Sequence, residues 1–330
     1  MSRLTLTLAC GDYDRTRALE EGSVRADGIE LVYLRLPVEE TFFRMMRHQE
    51  FEVAEMSLSS YVISMQSATS PFVALPVFTS RSFRHGSIYV NADAGITAPG
   101  DLRGRRVGTP EFQVTAGVWV RGILADQHRV AVDSMTHLTG GQEQPGRVEK
   151  ASLDLPGSIR VETIPEDRTL SAMLAEGEID ALVTPRIPRP FVVRDPRVRR
   201  LFGDVIAAEQ AYYAATRIFP IMHVVVIRRD VYERYPWVAQ SLYKAFRLAK
   251  EDARDRLYDS SALRFMLPWL NQHVEEAEQL LGADYWSYGL EPNRDALATF
   301  LRYHHEQGLS ERRLRPDELF APESTESAVV

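Results

Sequence analysis

The sequence predicts an α/β protein of two lobes, in which each lobe is a mixed, mostly parallel sheet flanked by helices. Strand and helix patterns alternate as β-α-β-α-β over the first 90 residues, which is typical of a parallel sheet with covered faces. A second alternating series follows, and a length of 330 residues accommodates about two domains. We assign residues 1–92 and 223–330 to lobe 1 and residues 93–222 to lobe 2. Two crossings between the lobes predict a hinged cleft.

The elements of lobe 1 are predicted from hydrophobic periodicity. The segment LTLTLAC alternates apolar and polar residues, which predicts a strand at 4–10. The further elements predicted before residue 93 are a helix at 17–21, a strand at 29–36, a helix at 38–51, a buried strand ending near Glu55, a helix start at 57–60 and strands at 72–80 and 85–91.

The second lobe begins with DLRGRRVGTPEFQVTAGVWV (101–120), which predicts a short strand, a tight turn and a helix start. The elements predicted after it are a helix at 115–127, a strand at 159–164, a helix at 170–176, strands at 179–185 and 223–230, and C-terminal helices at 236–257, 266–282 and 293–309.

Composition limits the partners and the compartment. The net charge is −7, and the 39 Lys and Arg residues are scattered among 46 Asp and Glu, which argues against nucleic-acid binding. No apolar run has the length of a membrane span. One cysteine, Cys10, excludes an internal disulfide, and no export signal precedes it. We therefore expect a cytoplasmic protein that binds a small molecule and neither nucleic acid nor a membrane, and a homo-oligomer is compatible with the sequence.

The turn at 108–115 is a candidate anion site. A turn that leads into a helix leaves the first backbone N–H groups of the helix without partners, and a carboxylate suits that position. Gln113 and Thr115 at this helix start, and Ser57 and Ser59 at the helix start after the strand at Glu55, would bind substrate oxygen atoms. Plain N-capping is the alternative for all four residues, and it is compatible with binding.

Several blocks of the chain resemble one known family, the 4,5-dihydroxyphthalate decarboxylases, which are similar in fold to the type II periplasmic binding proteins. DLRGRRVG alone indicates only the wider binding-protein fold, whereas EMSLSSY, FRHGSIYVN and FPIMH narrow the resemblance to this family. It implies a two-lobed type II periplasmic-binding-protein-like fold and the loss of one carboxylate from a catechol with two adjacent carboxylates, giving protocatechuate and CO2. The matching blocks extend over nearly the whole chain: ACGDYDRTRAL, FEVAEMSLSSYVIS, PVFTSRSFRHGSIYVN, DLRGRRVGTPEFQVTAGVWVRGIL, GGQEQPGRVEK, GEIDALVTPRIP, FPIMHVVVIRRDVY and YGLEPNR.

This chemistry requires a proton donor at the edge of the ring, because direct loss of CO2 would leave an unstable aryl anion. His85 is our first candidate, since it begins a predicted strand near a crossing and histidine titrates near neutral pH. His223, at the return crossing, is the rival. A structural histidine bonded to backbone is the alternative for His85. We expect the remaining six histidines to be solvated.

Charged residues near the predicted cleft complete the candidate site. Glu55 ends a buried strand and would act as a base or hold an arginine, with a buried ion pair as the alternative. Arg84, Arg186 and Arg15 offer guanidinium groups for substrate carboxylates, with surface ion pairs as the alternative.

We expect no metal and no other cofactor, because no H-x-x-x-H or H-E-x-x-H spacing, no G-x-G-x-x-G and no P-loop is present. Three classes of function remain open: an aromatic decarboxylase, a non-catalytic solute-binding protein for an aromatic or other small carboxylate, and a different lyase on the same scaffold. The lack of an export signal favours an enzyme over a transport receptor.

Overall fold

The computed structural model describes residues 3–67, 69–150 and 153–324. The chain forms two compact units. The first unit comprises the residues up to Arg81, Ile221–Leu297 and the residues from Arg315 onward, and the second comprises Ser82–Pro220 and Ala298–Leu314.

Each unit contains one sheet and the helices that cover it. The strands are β1 (Leu4–Cys10), β2 (Ile29–Arg35), β3 (Val53–Ser57), β4 (Phe72–Arg81), β5 (Ile88–Asn91), β6 (Arg106–Thr109), β7 (Thr136–Thr139), β8 (Arg160–Thr163), β9 (Ala181–Val183), β10 (Val198–Arg200) and β11 (Ile221–Arg228). The helices are α1 (Asp14–Glu20), α2 (Val38–His48), α3 (Leu58–Ser64), α4 (Thr115–His128), α5 (Leu170–Glu176), α6 (Arg189–Val192), α7 (Val205–Thr216), α8 (Arg229–Arg234), α9 (Trp237–Leu257), α10 (Leu270–Leu281) and α11 (Arg294–Glu306).

The sheet of the first unit has the strand order β2-β1-β3-β11-β4. Strand β1 runs parallel to β2 and β3, whereas β11 runs antiparallel to both β3 and β4. All five residues of β3 are buried, as expected for a central strand covered on both faces. The returning strand β11 therefore lies inside the sheet and not at its edge.

The sheet of the second unit has the order β10-β5-β9-β6-β7-β8. Strands β9, β6, β7 and β8 are parallel to one another, and β5 and β10 add antiparallel pairs at one side. Buried apolar residues form two clusters against this sheet, one of which includes Val120 and Leu124 of α4 and the other Leu170 and Leu174 of α5. The mixed α/β architecture predicted from the sequence is confirmed.

The unit boundaries differ from the predicted ones. Strand β5 was assigned to lobe 1, but its hydrogen-bond partners are β9 and β10, so it belongs to the second sheet. The second unit thus begins at Ser82, and the return to the first unit comes at Ile221. Residues 298–314 also group with the second unit, so the chain passes between the units four times and not twice.

Most element boundaries agree with the sequence prediction to within a few residues. Helix α1 begins at Asp14, three residues before the predicted start, and the predicted strand at 85–91 begins with a 3-10 turn at His85–Ser87. Strand β7 and the elements α6, β10, α7 and α8 were not predicted. Within the described residues, no helix is both long enough and apolar enough to cross a membrane.

Candidate active site

The best-defined polar cluster of the first unit lies where β1 and β3 end. These two strands are parallel neighbours, so their carboxyl ends lie at the same edge of the sheet. Strand β11 runs the other way beside β3 and places His223 opposite Ser57. This pairing brings His223 and Glu55, which lie far apart in the sequence, into contact.

Glu55 is fully buried and accepts hydrogen bonds at both carboxylate oxygens. Its Oε1 accepts from Tyr13 Oη at 2.8 Å, from Thr79 Oγ1 at 2.9 Å and from His223 Nδ1 at 2.7 Å. Its Oε2 accepts from the Gly11 amide at 3.0 Å and from Cys10 Sγ at 3.6 Å. A buried carboxylate is tolerated only with such partners, which accounts for the donors that surround it.

These donors keep Glu55 ionised. Burial by itself raises the pKa of Glu55, but the charge and the hydrogen bond of His223, with the donors at Gly11 and Tyr13, lower it overall to about 2. An ionised carboxylate can only accept, so the proton of the Glu55–His223 hydrogen bond lies on Nδ1 of the imidazole. The other ring nitrogen, Nε2, is then the atom that is available to a ligand. The hydrogen bond to Glu55 thus fixes the orientation of the His223 ring, and a role of Glu55 as a base stays a prediction.

The remaining contacts of His223 restrict the orientation of its ring. The edge of the Phe42 ring packs against it, with centroids 4.8 Å apart and planes at 78°. The side chain of His223 is 17% exposed, so it is mostly buried but partly accessible to solvent. A histidine that is fixed at Nδ1 and accessible at Nε2 suits proton transfer to a bound molecule.

Arg15, predicted to bind a substrate carboxylate, contacts protein groups in this structure. Its Nε donates to the Thr79 carbonyl at 2.6 Å, and its guanidinium lies between the rings of Tyr13 and Trp286, 4.1 and 4.4 Å from their centroids. Its Nη1 pairs with Asp14 at 3.1 Å. The two aromatic faces and the carbonyl thus engage the guanidinium beside the donors to Glu55.

Ser57 and Ser59 are both buried at the start of α3. The Ser57 hydroxyl accepts from the Ser60 amide at 3.4 Å and so caps the helix. The capping interpretation of Ser57 is therefore confirmed, while oxygen binding by Ser57 and Ser59 stays a prediction.

The predicted residues of the second unit also follow strand ends at one edge of a sheet. Strands β6, β7 and β9 are parallel neighbours, and antiparallel β5 begins beside the end of β9. Gln113 and Thr115 follow β6, and both are buried at the start of α4. The Gln113 side-chain amide donates to Glu149 Oε2 at 3.2 Å, and the other oxygen of Glu149 accepts from the Phe112 amide. A carboxylate of the chain itself thus lies at this helix start.

Arg186 follows β9 and is exposed, whereas its backbone is held by two buried polar residues. The Arg186 amide donates to Thr184 Oγ1 at 3.2 Å, and its carbonyl accepts from the Gln142 side chain at 3.3 Å. Carboxylate binding by Arg186 stays a prediction.

Arg84 and His85 precede β5 and are packed into the second unit. Burial lowers the pKa of Arg84 to about 10, an effect that the nearby Glu209 opposes. His85 is 3% exposed, its ring lies 5.3 Å from those of Phe202 and Tyr212, and burial lowers its pKa to about 4. An imidazole that is neutral above about pH 4 is a poor acid at neutral pH, so these surroundings favour His223 over our first candidate.

Some polar residues of the Glu55 cluster were missed by the sequence analysis. Tyr13 and Thr79 bind Glu55, but each lies in a segment that predicted only a turn or a strand. The expectation that the other histidines are solvated is wrong for His137 and His304, which are buried. A polar residue amid apolar neighbours, as Thr79 is in FVALPVFTS, was the available signal. Within the described ranges, no group of three His, Cys, Asp or Glu side chains is arranged to bind a metal ion.

Comparison with known proteins identifies the family, although no family model matches the chain. The chain is 44% identical over 327 residues to the 4,5-dihydroxyphthalate decarboxylase of Comamonas testosteroni, covering 99% of both proteins. It is 45% identical over 215 residues to the enzyme of the same name from Pseudomonas putida, covering 65% of this chain and 83% of that protein.

A solved structure supports the predicted fold. The periplasmic aliphatic sulphonate binding protein SsuA from Escherichia coli superposes with a TM-score of 0.55 at 11% identity, covering 97% of this chain and 98% of that one. At this identity the likeness concerns the fold alone, and it confirms the periplasmic-binding-protein-like architecture. Identity over nearly the full length of a decarboxylase is the stronger finding, and the predicted resemblance and enzyme class are confirmed: the chain belongs to the 4,5-dihydroxyphthalate decarboxylase family of carboxy-lyases.

Proposed function

We propose that this protein converts 4,5-dihydroxyphthalate to protocatechuate and CO2, with His223 as the proton donor and Glu55 as the anion that orients it. The 44% identity to a 4,5-dihydroxyphthalate decarboxylase, over 99% of both proteins, supports this choice of substrate. The hydrogen bond between Glu55 Oε1 and His223 Nδ1, inside a shell of further donors to Glu55, is the observation that supports the mechanism.

The reaction proceeds through ring protonation. The hydroxyl para to the leaving carboxylate, more strongly as a phenolate, supplies electrons while the ring carbon that bears this carboxylate accepts a proton. The dienone-like intermediate then loses CO2 as its C–C bond breaks, and that electron pair restores the aromatic ring. One proton is consumed and one CO2 is released, so no oxidant or reductant takes part.

His223 suits the donor role for a geometric reason. Its Nδ1–H points at Glu55, so in the protonated imidazole the second proton is on Nε2, the nitrogen that faces away from the carboxylate. The hydrogen bond to the ionised Glu55 holds the ring in one orientation. A proton from solvent would then restore His223 after each turnover.

The departing carboxylate should not be paired strongly, because pairing would stabilise the ground state. The carboxylate that stays has no such restriction. Of the arginines predicted for it, Arg84 is packed into the second unit, and Arg15 is engaged by Thr79 and two aromatic rings. Arg186 stays our predicted partner of that group, with Gln113 and Thr115 as predicted oxygen ligands.

The test is a turnover assay on purified protein with 4,5-dihydroxyphthalate, in which protocatechuate and CO2 are quantified together. In D2O we expect one deuteron in the product, ortho to the remaining carboxylate, and a lower kcat. His223→Gln should lower kcat by about 10²- to 10⁴-fold, the usual contribution of a general acid. His273→Gln, a change at an exposed histidine on α10, is the matched control and should leave kcat unchanged.

Three results would contradict the proposal. Tight binding of the diacid without turnover would identify a solute-binding protein. Release of CO2 from a different acid only would identify another lyase. Full activity of His223→Gln together with an inactive His85→Gln would return the donor role to His85.

A further inference from the structure

We propose that Thr79 and Arg15 are positioning residues for decarboxylation: Thr79 donates to Glu55, and Arg15 holds Thr79 in place through its backbone. This inference rests on the proposed role of the Glu55–His223 pair and deepens it. Neither residue is required to touch the substrate, because each acts on the carboxylate that orients His223.

An irregularity in β4 places Thr79 beside Glu55. Strand β11 pairs Val225 with Leu75 and His223 with Ser80, so a step of two residues on β11 corresponds to five on β4. The intervening segment 76–79 bulges out of the ladder, and its first residue, Pro76, has no N–H to contribute to one. The bulge redirects the side chain of Thr79, whose hydroxyl reaches Glu55 Oε1 at 2.9 Å.

The backbone of this bulge is held from outside the ladder. Backbone carbonyl groups that are not paired in the sheet need other hydrogen-bond donors, and three such donors are present here. The Gly289 amide donates to Pro76 O at 2.8 Å, the Trp286 indole to Phe78 O at 2.9 Å, and Arg15 Nε to Thr79 O at 2.6 Å. The Arg15 bond is the one charge-assisted bond of these three, and it acts on the residue that contacts Glu55.

Arg15 also contacts the second hydroxyl donor. Its guanidinium lies 4.1 Å from the centroid of the Tyr13 ring, and Tyr13 Oη donates to the same oxygen of Glu55 as Thr79 does. The guanidinium also lies 4.4 Å from the centroid of the Trp286 ring. Arg15 therefore holds both hydroxyl groups that fix Oε1, the oxygen that accepts from His223.

Thr79 allows a sharp test because its side chain is fully buried and its hydroxyl donates to Glu55. Thr79→Val keeps the shape and removes the hydroxyl, whereas Thr79→Ser keeps the hydroxyl and removes a buried methyl. With 4,5-dihydroxyphthalate as substrate, Thr79→Val should lower kcat about tenfold, as expected for one charge-assisted hydrogen bond, with KM changed less than about twofold. Thr79→Ser should keep kcat within about twofold of the wild-type value, although it loses packing.

Arg15→Met supplies the second half of the test, since Met still fills the space between the two rings but cannot donate. We expect a loss of kcat similar to that of Thr79→Val, and no further loss when the two changes are combined, because both act on one contact. Arg17→Met is the matched control: Arg17 lies on the same helix, pairs with exposed Asp12, and should leave kcat and KM unchanged.

The outcomes separate this inference from the proposed function. Full activity of Thr79→Val, equal losses for Thr79→Val and Thr79→Ser, or additive losses in the double variant would each overturn the positioning role. If His223→Gln loses activity in the same assay while Thr79→Val does not, this inference alone fails. Full activity of His223→Gln overturns both.

Discussion

Replacing Glu55 by Gln should remove a pH-dependent contribution to stability that can be calculated from the structure. The pKa of Glu55 falls from an ordinary value of 4.5 to about 2, because the His223 charge and the surrounding donors outweigh the cost of burial. This difference corresponds to about 3 kcal/mol of folding free energy. Since the folded pKa is the lower one, this stabilisation is complete above pH 4.5 and is lost as the pH falls towards 2.

At neutral pH, Glu55→Gln should also lower the free energy of unfolding because it disrupts hydrogen bonds. The amide of Gln meets groups that all donate to Glu55. The Gly11 amide cannot reverse its role, whereas the Tyr13 and Thr79 hydroxyls can rotate and a neutral His223 can change its tautomer. Removing one partner of a buried pair typically costs about 3–5 kcal/mol, so we expect a loss of this size at pH 7.

The assay is urea unfolding at a series of pH values, followed by tryptophan fluorescence; one of the four tryptophans is Trp286, whose indole donates to Phe78 O of β4. The difference in unfolding free energy between wild type and Glu55→Gln should shrink by about 3 kcal/mol between pH 5 and pH 2. Glu30→Gln, a change at an exposed carboxylate on β2, should parallel the wild type throughout. Parallel curves for wild type and Glu55→Gln down to pH 2 would refute the proposal that Glu55 is ionised by its buried donors.

Two further predictions concern the second unit. Burial lowers the pKa of His85 from 6.5 to about 4, so the folded chain favours the neutral ring. The free energy of unfolding should therefore be unaffected by His85 above pH 6.5 and should decline by about 3 kcal/mol as the pH falls to 4. His85→Gln should abolish this decline when urea unfolding is measured as a function of pH. An unchanged slope would mean that His85 is protonated in the folded chain. Gly122→Ala should destabilise the unit by about 2 kcal/mol in thermal or urea unfolding, although alanine favours helices. The added Cβ would lie 2.1 Å from the ring of Tyr303, and a hydrogen bond to Asp126 holds this ring in place. Gly203→Ala, where a Cβ meets nothing within 4 Å, should change stability by less than about 0.5 kcal/mol, and equal losses in the two variants would argue against the steric explanation.

The sequence by itself determined the family, the α/β class and most of the helices and strands. It also identified Glu55 and His223 as candidates, because a carboxylate at the end of a buried strand and a histidine beside a crossing are visible in local patterns. Local periodicity records which face of an element is apolar, and for this reason α5 was predicted to the residue. The same patterns do not record which strands pair with one another.

Only the tertiary structure decided how the candidates are arranged. Glu55 and His223 are 168 residues apart, and they meet because β11 returns between β3 and β4, a pairing that depends on the whole sheet. The bulge in β4 then directs Thr79 at Glu55, and β5 pairs in the second sheet and not in the first. Strand partners and bulges are selected by long-range backbone hydrogen bonds and packing, and short segments of sequence carry little information about either.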